Sequence, residues 1–390
     1  MLNIGIDARL YGQTGVGVYL KNLLYYLEKN AADKLLFYIY LLPQDYAVVN
    51  FNSINFKKRL VHSSWHSFSE QIEFPGILLK DNLDLMHFTY FSYPVFYRRK
   101  FVATVHDNTP LFFKTGKAST KNPLLYEVKF RAFKFVFSQQ VKNAGYIITP
   151  TKTVKNELIG IFGKKYADKI KPIYEGVDYE LIAQSHSRAV PAGSQEGGNP
   201  EKKTGSPIRS EMTLGRSFFI YIGNFYPHKN VESLVKAFAK VRTDSKLILI
   251  GPDDYFANRL TQLIKRLSQE KRIIFYHNPS KEELVFFYMN ARALIHPSLS
   301  EGFGLPIIEA AYYNLPIIAS DINVFRELLA KNYLSFKPED ISDIAGKINF
   351  FLESGIKYNY SEVLKKYSFE KMAKQTLSLY YQALGGLSGK

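Results

Sequence analysis

Cysteine is absent from the 390 residues. That absence removes disulfides, thiolate nucleophiles and Cys-ligated zinc or iron–sulfur centres. The start MLNIGIDARL carries no basic-then-apolar leader, so a cytoplasmic address is expected. Long apolar runs are missing as well: the stretch 35–43, LLFYIYLLP, is far short of the ~20 residues needed to cross a bilayer. No Asp-x-Asp pair of the cation-holding kind occurs, and the adjacent Asp253-Asp254 after Gly251-Pro252 reads as a turn. Acid is scarce, with 35 Asp+Glu against 51 Lys+Arg and a net charge of +16. Such a balance attracts polyanions, whether nucleic acid, anionic lipid or a phosphorylated substrate.

What is present is ample apolar surface, 46% hydrophobic and 15% aromatic residues, which excludes a disordered or fibrous chain. The length suggests two or three domains. Much of the positive charge is local: Lys114 to Lys171 holds 13 basic and 3 acidic residues. No helix-turn-helix, ribonucleoprotein-type or zinc-finger pattern accompanies it, which argues against a non-enzymatic nucleic-acid-binding protein.

Between Gln184 and Gly215 the composition changes to Ser, Gly, Pro, Lys and Glu, the composition of a flexible connector. On either side short apolar runs alternate with amphipathic stretches. The runs 2–7, 101–106 and 146–150 precede the connector, and 218–223, 246–251, 273–276, 293–297 and 315–319 follow it. Alternation of this kind predicts parallel sheets with helices on both faces, once in each half. Ligands of such sheets lie beyond the carboxyl ends of the strands. Four places after apolar runs therefore matter.

The first is Gly12-Gln-Thr-Gly15-Val-Gly17. Glycines let backbone approach a ligand, and the helix start offers N–H groups to a phosphate. A tight turn without ligand explains the motif equally well, and the spacing is not that of the dinucleotide fingerprint. The second is His106-Asp107, a histidine placed to hydrogen-bond a substrate. His62, His66 and Glu70 also show a one-face metal spacing, read as coincidence on an amphipathic helix. The third is Gly223-Asn224-Phe-Tyr-Pro-His-Lys229-Asn230, where a lysine at a helix start opposes the dipole and favours an anionic partner. The fourth is the run 296–311, HPSLSEGFGLPIIEAA. Glu301 and Glu309 bracket two glycines, so carboxylates and backbone amides can face one opening.

The fourth motif resembles the signature of retaining glycosyltransferases of family 4, with two glutamates separated by seven residues around G-F-G-L-P. The other three fall where that family has its glycine-rich loop, active-site histidine and phosphate-binding lysine, and Pro316–Asp321, Glu327 and Tyr367–Ala373 match in kind. The resemblance covers nearly the whole chain except the connector. It implies an α/β GT-B fold, two Rossmann-like domains facing each other across a cleft, with no metal and no cofactor.

On this resemblance, residues 1–184 are the acceptor domain, 185–215 the linker, 216–369 the nucleotide-sugar domain, and 370–390 a C-terminal helix returning to the first domain. Glu301, His106 and Lys229 are the implied catalytic residues. Gly15, Gly17, Asn224, Lys229, Phe303, Gly304, Leu305 and Glu309 are implied to bind the donor, Glu309 through its ribose. Asn224 stands where many relatives have arginine, a form found in many bacterial mannosyltransferases. The implied partners are a nucleotide-sugar donor, GDP- or UDP-linked, and a glycan or lipid-linked acceptor of surface polysaccharide synthesis. A sugar-phosphate epimerase or phosphorylase of similar architecture accounts less well for Glu301, Glu309 and Lys229 together.

The stretch Leu124–Val141 mixes four Phe with Lys129, Arg131 and Lys134. Its aromatics suit either packing or a lipid surface, whereas its single-sign charge favours an anionic membrane face.

Overall fold

The structure, a computed structural model, describes residues 1–30, 34–112, 123–188 and 217–385. The strands are short, and most are apolar on both faces, as suits sheets covered by helices on each side. In the first half these are β1 (Leu2–Asp7), β2 (Leu35–Leu41), β3 (Phe56–Leu60), β4 (Leu85–Phe88), β5 (Phe101–Thr104), β6 (Tyr146–Thr149) and β7 (Ile170–Pro172). They form one parallel sheet in the order β3-β2-β1-β4-β5-β6-β7. In the second half β8 (Phe218–Ile222), β9 (Lys246–Gly251), β10 (Ile273–His277), β11 (Leu294–His296), β12 (Ile317–Ser320) and β13 (Leu334–Phe336) form a second, in the order β10-β9-β8-β11-β12-β13. All its pairings are parallel too. The fold is thus α/β with two Rossmann-like sheets.

In both sheets the strand order reverses once, at β1/β4 and at β8/β11. Ligand crevices of open parallel sheets form at such reversals, outside the carboxyl ends of the strands. The glycine-rich loop leaves β1, the Lys229 loop leaves β8 and the Glu301–Glu309 run leaves β11. Three of the four motifs therefore flank a reversal point. The remaining one, His106-Asp107, follows β5, the strand beside β4.

The chain divides into two units, one of Met1–Gly176, Glu301–Phe303 and Lys366–Lys390, the other of Val177–Ser300 and Gly304–Lys365. The first segment ends at Gly176 rather than 184. Helix Tyr179–Arg188 belongs with the second unit because the Tyr313 hydroxyl donates to Leu181 O at 2.9 Å and Lys281 pairs with Asp178. The stretch 185–215 read as linker begins inside that helix and otherwise lies outside the described residues.

The last helix, Phe369–Ala383, counts with the first unit and packs on helix Val16–Asn30. Where it meets the sheet, polar groups run in a chain: Tyr380 Oη to His87 Nδ1 at 2.7 Å, His87 Nε2 to Thr104 Oγ1 at 2.8 Å, and Thr104 Oγ1 to Tyr19 Oη at 3.1 Å. All four residues are buried. Burial, aided by His106, pushes the His87 imidazole down to about 3, so it stays neutral and offers one donor and one acceptor to its two neighbours. Four buried polar groups are satisfied without any charge.

His62 and His66 do not lie on a helix, since the helix they were assigned to starts at Phe68 and Ser67 caps it by accepting from Glu70 N. Glu70 is turned inward to other partners. Among the described residues no group of three His, Asp or Glu is placed to hold a metal ion. Asp254 is the N-cap of helix Tyr255–Arg266, accepting from Phe256 N and Ala257 N at 2.9 and 3.0 Å.

Candidate active site

In the first unit, β1 runs into a buried ion network. Arg9, 2% exposed, donates through Nε and Nη2 to Asp7 at 2.8 and 2.6 Å and through Nη2 to Glu70 at 2.6 Å. Its guanidinium lies 4.1 Å from the centre of the Phe74 ring. Burial opposes the charge, but Asp7 and then Glu70 outweigh it and hold the guanidinium protonated. Glu70 also accepts from Ser92 Oγ and from His66 N. The network fixes the root of the glycine-rich loop.

Two glycines of that loop are needed as glycine. Gly15 has φ +68°, and a Cβ on Gly17 would stand 2.5 Å from Tyr11 O. The Gly15 carbonyl then accepts the first helical bond, from Tyr19 N at 3.0 Å. Tyr19 in turn stands edge-on to the His106 imidazole, centroids 4.7 Å apart.

His106 is buried, and both its ring nitrogens face acceptors: Nε2 lies 3.0 Å from Thr89 O and Nδ1 3.4 Å from Glu175 Oε1. The ring is held by protein on both sides. Its backbone carbonyl meets the segment Glu301–Phe303, for a Cβ on Gly302 would lie 1.8 Å from His106 O. Only glycine permits that approach. Thr151 Oγ1 completes the seat by donating to Gly302 O at 3.0 Å while capping its own helix, Lys152–Phe162. Phe303 is buried edge-on to Tyr367 at 5.8 Å. Glu301, half-buried, is thereby anchored one residue from the backbone of His106.

In the second unit, β8 ends at Gly223, and a Cβ on Gly251 of the adjacent strand would lie 2.2 Å from Gly223 O. Asn224 Oδ1 accepts from Tyr226 N at 3.3 Å, closing its own turn. Lys229 ends a tight turn, Pro227–Lys229, and is half-buried. Asn230 follows with φ 56° and ψ 27°, a conformation that asparagine tolerates. Its amide donates to Pro297 O at 3.1 Å and Pro338 O at 2.6 Å, and Leu299 N donates to His228 O at 2.8 Å. The lysine loop is thus tied to Pro297 and Leu299 in the loop after β11.

Gly304, φ +86°, opens helix Leu305–Tyr312, with Leu305 and Pro306 half-buried in its first turn. Glu309 sits buried within that helix and accepts from Tyr288 Oη at 2.5 Å. Burial pushes its carboxyl up to about 7; the Tyr288 hydrogen bond opposes the rise, Asp178 adds to it and Lys281 opposes it. Lys281 also pairs with Glu180 at 3.3 Å.

The sign of the resulting pH dependence follows. A carboxyl whose folded pKa lies above its usual ~4.5 favours the folded state fully below that value and loses the contribution as pH rises through about 7. Glu309→Gln removes the effect. Its thermal midpoint equals wild type near pH 4 and exceeds it near pH 8, by up to about 3 kcal/mol in stability. Equal midpoints at both pH values would contradict this.

The candidate residues therefore form two sets. His106 and Glu301–Phe303 are brought together in the first unit beside the loop of Gly15 and Gly17. Lys229, Gly304, Leu305 and Glu309 lie around the reversal point of the second. Asn224 turns its side chain to its own backbone. Sequence reasoning missed Thr151, Glu175, Tyr288 and the holding role of Asn230. Of these only Asn230 left a signal, a residue suited to positive φ directly after the lysine.

Family models match on both sides of the connector: "Glycosyltransferase Family 4" over residues 14–181 and "Glycosyl transferases group 1" over 208–371. The O-antigen chain mannosyltransferase RfbU of Salmonella typhimurium is 30% identical over 301 residues, 76% of this chain and 73% of that one. The chain belongs to the family 4 glycosyltransferases. The glycosyltransferase is also similar to O-antigen chain mannosyltransferase B of Escherichia coli, 25% identical over 62% of each chain. Among solved structures, sucrose-phosphate synthase from Thermosynechococcus elongatus superimposes with a TM-score of 0.73 over 98% of this chain and 99% of that one, at 18% identity, a likeness of fold and of GT-B architecture. The epimerase and phosphorylase readings gain nothing from these matches. No described helix of the glycosyltransferase is long and apolar enough to cross a membrane.

Proposed function

We propose that the protein transfers mannose, with retention, from a nucleotide diphosphate sugar to a hydroxyl of a glycan or lipid-linked acceptor in surface polysaccharide synthesis, at the cytoplasmic face of an anionic membrane. The observation that carries the reading is the seating of Gly302 on the His106 backbone, which joins two motifs far apart in sequence and sets Glu301 beside them. Mannose is favoured by the names of the two O-antigen relatives.

In this reading Glu301 holds the transferred sugar and Glu309 the ribose. Gly15 and Gly17 bring the first loop to the donor. Lys229 and the amides of Phe303, Gly304 and Leu305 hold the diphosphate, and Asn224 shapes the loop that carries the lysine. As the bond from the anomeric carbon to the diphosphate oxygen breaks, negative charge grows on the leaving group. Fixed positive charge and backbone N–H groups aimed there are usually the largest catalytic contribution. The acceptor oxygen bonds to the anomeric carbon on the same face, and its proton passes to a leaving phosphate oxygen. His106 acts in this reading through its backbone, which seats Gly302 and so sets Glu301 beside the sugar.

Nothing in this scheme requires a divalent cation. Transfer from GDP-mannose therefore survives exhaustive EDTA treatment, and donor raises the thermal midpoint as RT ln(1 + [L]/Kd) requires. A screen of GDP- and UDP-sugars, with the product linkage read by NMR, tests sugar, base and retention together. Activity abolished by EDTA and restored by Mn²⁺ or Mg²⁺ overturns the metal-independent reading.

A further inference from the structure

Three helices cover one face of the first sheet side by side: Phe68–Lys80, Pro123–Asn143 and Lys152–Phe162. Inward residues of all three, Phe74, Phe137 and Leu158 among them, join one buried cluster with the strands. The loop of residues 90–97 is the seam between the first two. From one side Gln71 donates to Tyr93 O at 3.1 Å and accepts from Val95 N at 2.9 Å. From the other Gln140 donates to Tyr90 O at 2.8 Å and Asn143 to Tyr93 Oη at 3.1 Å. Phe137 against Phe162, 5.5 Å between centroids, joins the third helix.

The aromatics of the second helix mostly face inward or along it. Tyr126, Phe130, Phe133 and Phe137 stack in a ladder with steps of 5.9, 6.3 and 6.0 Å. The outside of the layer is nevertheless apolar. Phe68, Ile72 and Leu79 on the first helix, Phe96 in the seam, and Val128 and Phe135 on the second are between 52% and 80% exposed. Single exposed apolar residues are ordinary; six large ones on one layer mark an interaction surface. Phe68, Ile72 and Leu79 recur at the spacing of a single helix face. Exposed cations stand among them: Arg98, Arg99 and Lys100 directly after Phe96, and Lys129, Arg131 and Lys134 on the second helix. Arg99 Nη1 donates to Asn82 Oδ1 at 2.8 Å, which puts that basic run at the end of the first helix.

We infer that this three-helix layer docks on an anionic bilayer, its exposed aromatic and aliphatic side chains entering the interfacial region while the cations between them take headgroup phosphates. Apolar side chains at the acyl boundary with basic residues at headgroup level are the chemistry of interfacial anchoring. A second copy of the chain fits worse, because a two-fold pairing of this layer sets its cations against the same cations. The inference deepens the membrane reading proposed above, moving the contact from one helix to a layer in which Phe68, Ile72 and Phe96 carry the apolar part.

Vesicle flotation of the full chain tests it, with three proteins: wild type, Phe68→Ser/Ile72→Ser/Phe96→Ser, and Lys129→Glu/Arg131→Glu/Lys134→Glu. Wild type floats with vesicles containing about 30 mol% phosphatidylglycerol, not with phosphatidylcholine alone, and salt weakens it. Each triple variant partitions at least ~10-fold less while its transfer to a water-soluble acceptor is unchanged. An apolar triple variant that floats like wild type overturns the layer and leaves charge-driven membrane binding standing. Wild type that stays in solution overturns both. A concentration-dependent dimer abolished by the apolar triple variant, without flotation, assigns the surface to self-association and overturns the inference.

Discussion

Alanine at Glu301 or at Lys229 lowers turnover at least ~100-fold while the thermal midpoint stays within a few degrees of wild type. The two residues belong to different units, yet the expectation has one physical basis. Each is a half-buried charge carried by a loop that follows a strand at or beside a sheet reversal, and each loop is held by contacts that the charged side chain does not make. Gly302 and Thr151 seat the backbone beside Glu301, and Asn230 with Leu299 N seats that beside Lys229. Truncation to alanine therefore removes charge and leaves the loop. For Lys229 the larger part of the loss falls on kcat, since the diphosphate, already anionic in the bound donor, gains a further negative charge as the glycosidic bond breaks, and a smaller part falls on donor affinity. For Glu301 it falls on kcat and on donor affinity together, because the sugar is held in both states. Steady-state transfer assays alongside circular dichroism and thermal melts check both. A folded variant of either residue with turnover near wild type removes the active-site assignment.

Arg9→Met is expected to be the most destabilising single change, with a loss of about 3–5 kcal/mol. None of the candidate site residues is itself changed. The substitution leaves Asp7 and Glu70 facing one another in a buried space from which the compensating guanidinium has gone. Breaking one side of a buried ion network is expensive because the remaining charges stay desolvated, whereas neutralising every member together is much cheaper. Arg9→Met in an Asp7→Asn/Glu70→Gln background therefore recovers a large part of the loss. Calorimetry reads the effect as a drop on the order of 10 °C in the melting of the first unit. An Arg9→Met midpoint unchanged from wild type would mean that the network contributes nothing.

The parts of the fold visible in the sequence are those with local causes. Leu2–Asp7 and Lys246–Gly251 are strands over the very residues whose apolar runs announced them, bounded by glycine or charge. Others escaped because their pattern is weak. β3, Phe56–Leu60, is FKKRL, a sheet-edge strand with no apolar run to announce it, and β13 has only three residues. Helix Val231–Phe238 stops three residues before the apolar periodicity does, with Val241 still buried beneath the turn that follows. At the site, the motifs gave the residues and their order but not their supports. Thr151 on Gly302 and Tyr288 on Glu309 join positions far apart in the chain, and no local spacing encodes such pairs. His62 and His66 show the opposite error, a helical spacing in a segment that is not a helix.

The buried chain from Tyr380 through His87 and Thr104 to Tyr19 has a bearing on how the protein is made. Synthesis runs from the amino terminus, and domains ordinarily fold as they emerge. Here the strands and helices up to Gly176 leave the ribosome long before helix Phe369–Ala383 exists to cover His87 and the face of helix Val16–Asn30. Until the final residues are released, that side of the nascent first sheet is open and its imidazole lacks one partner. The first unit to be translated is thus the last to be finished, and a stop codon before Phe369 damages the amino-terminal half of the molecule.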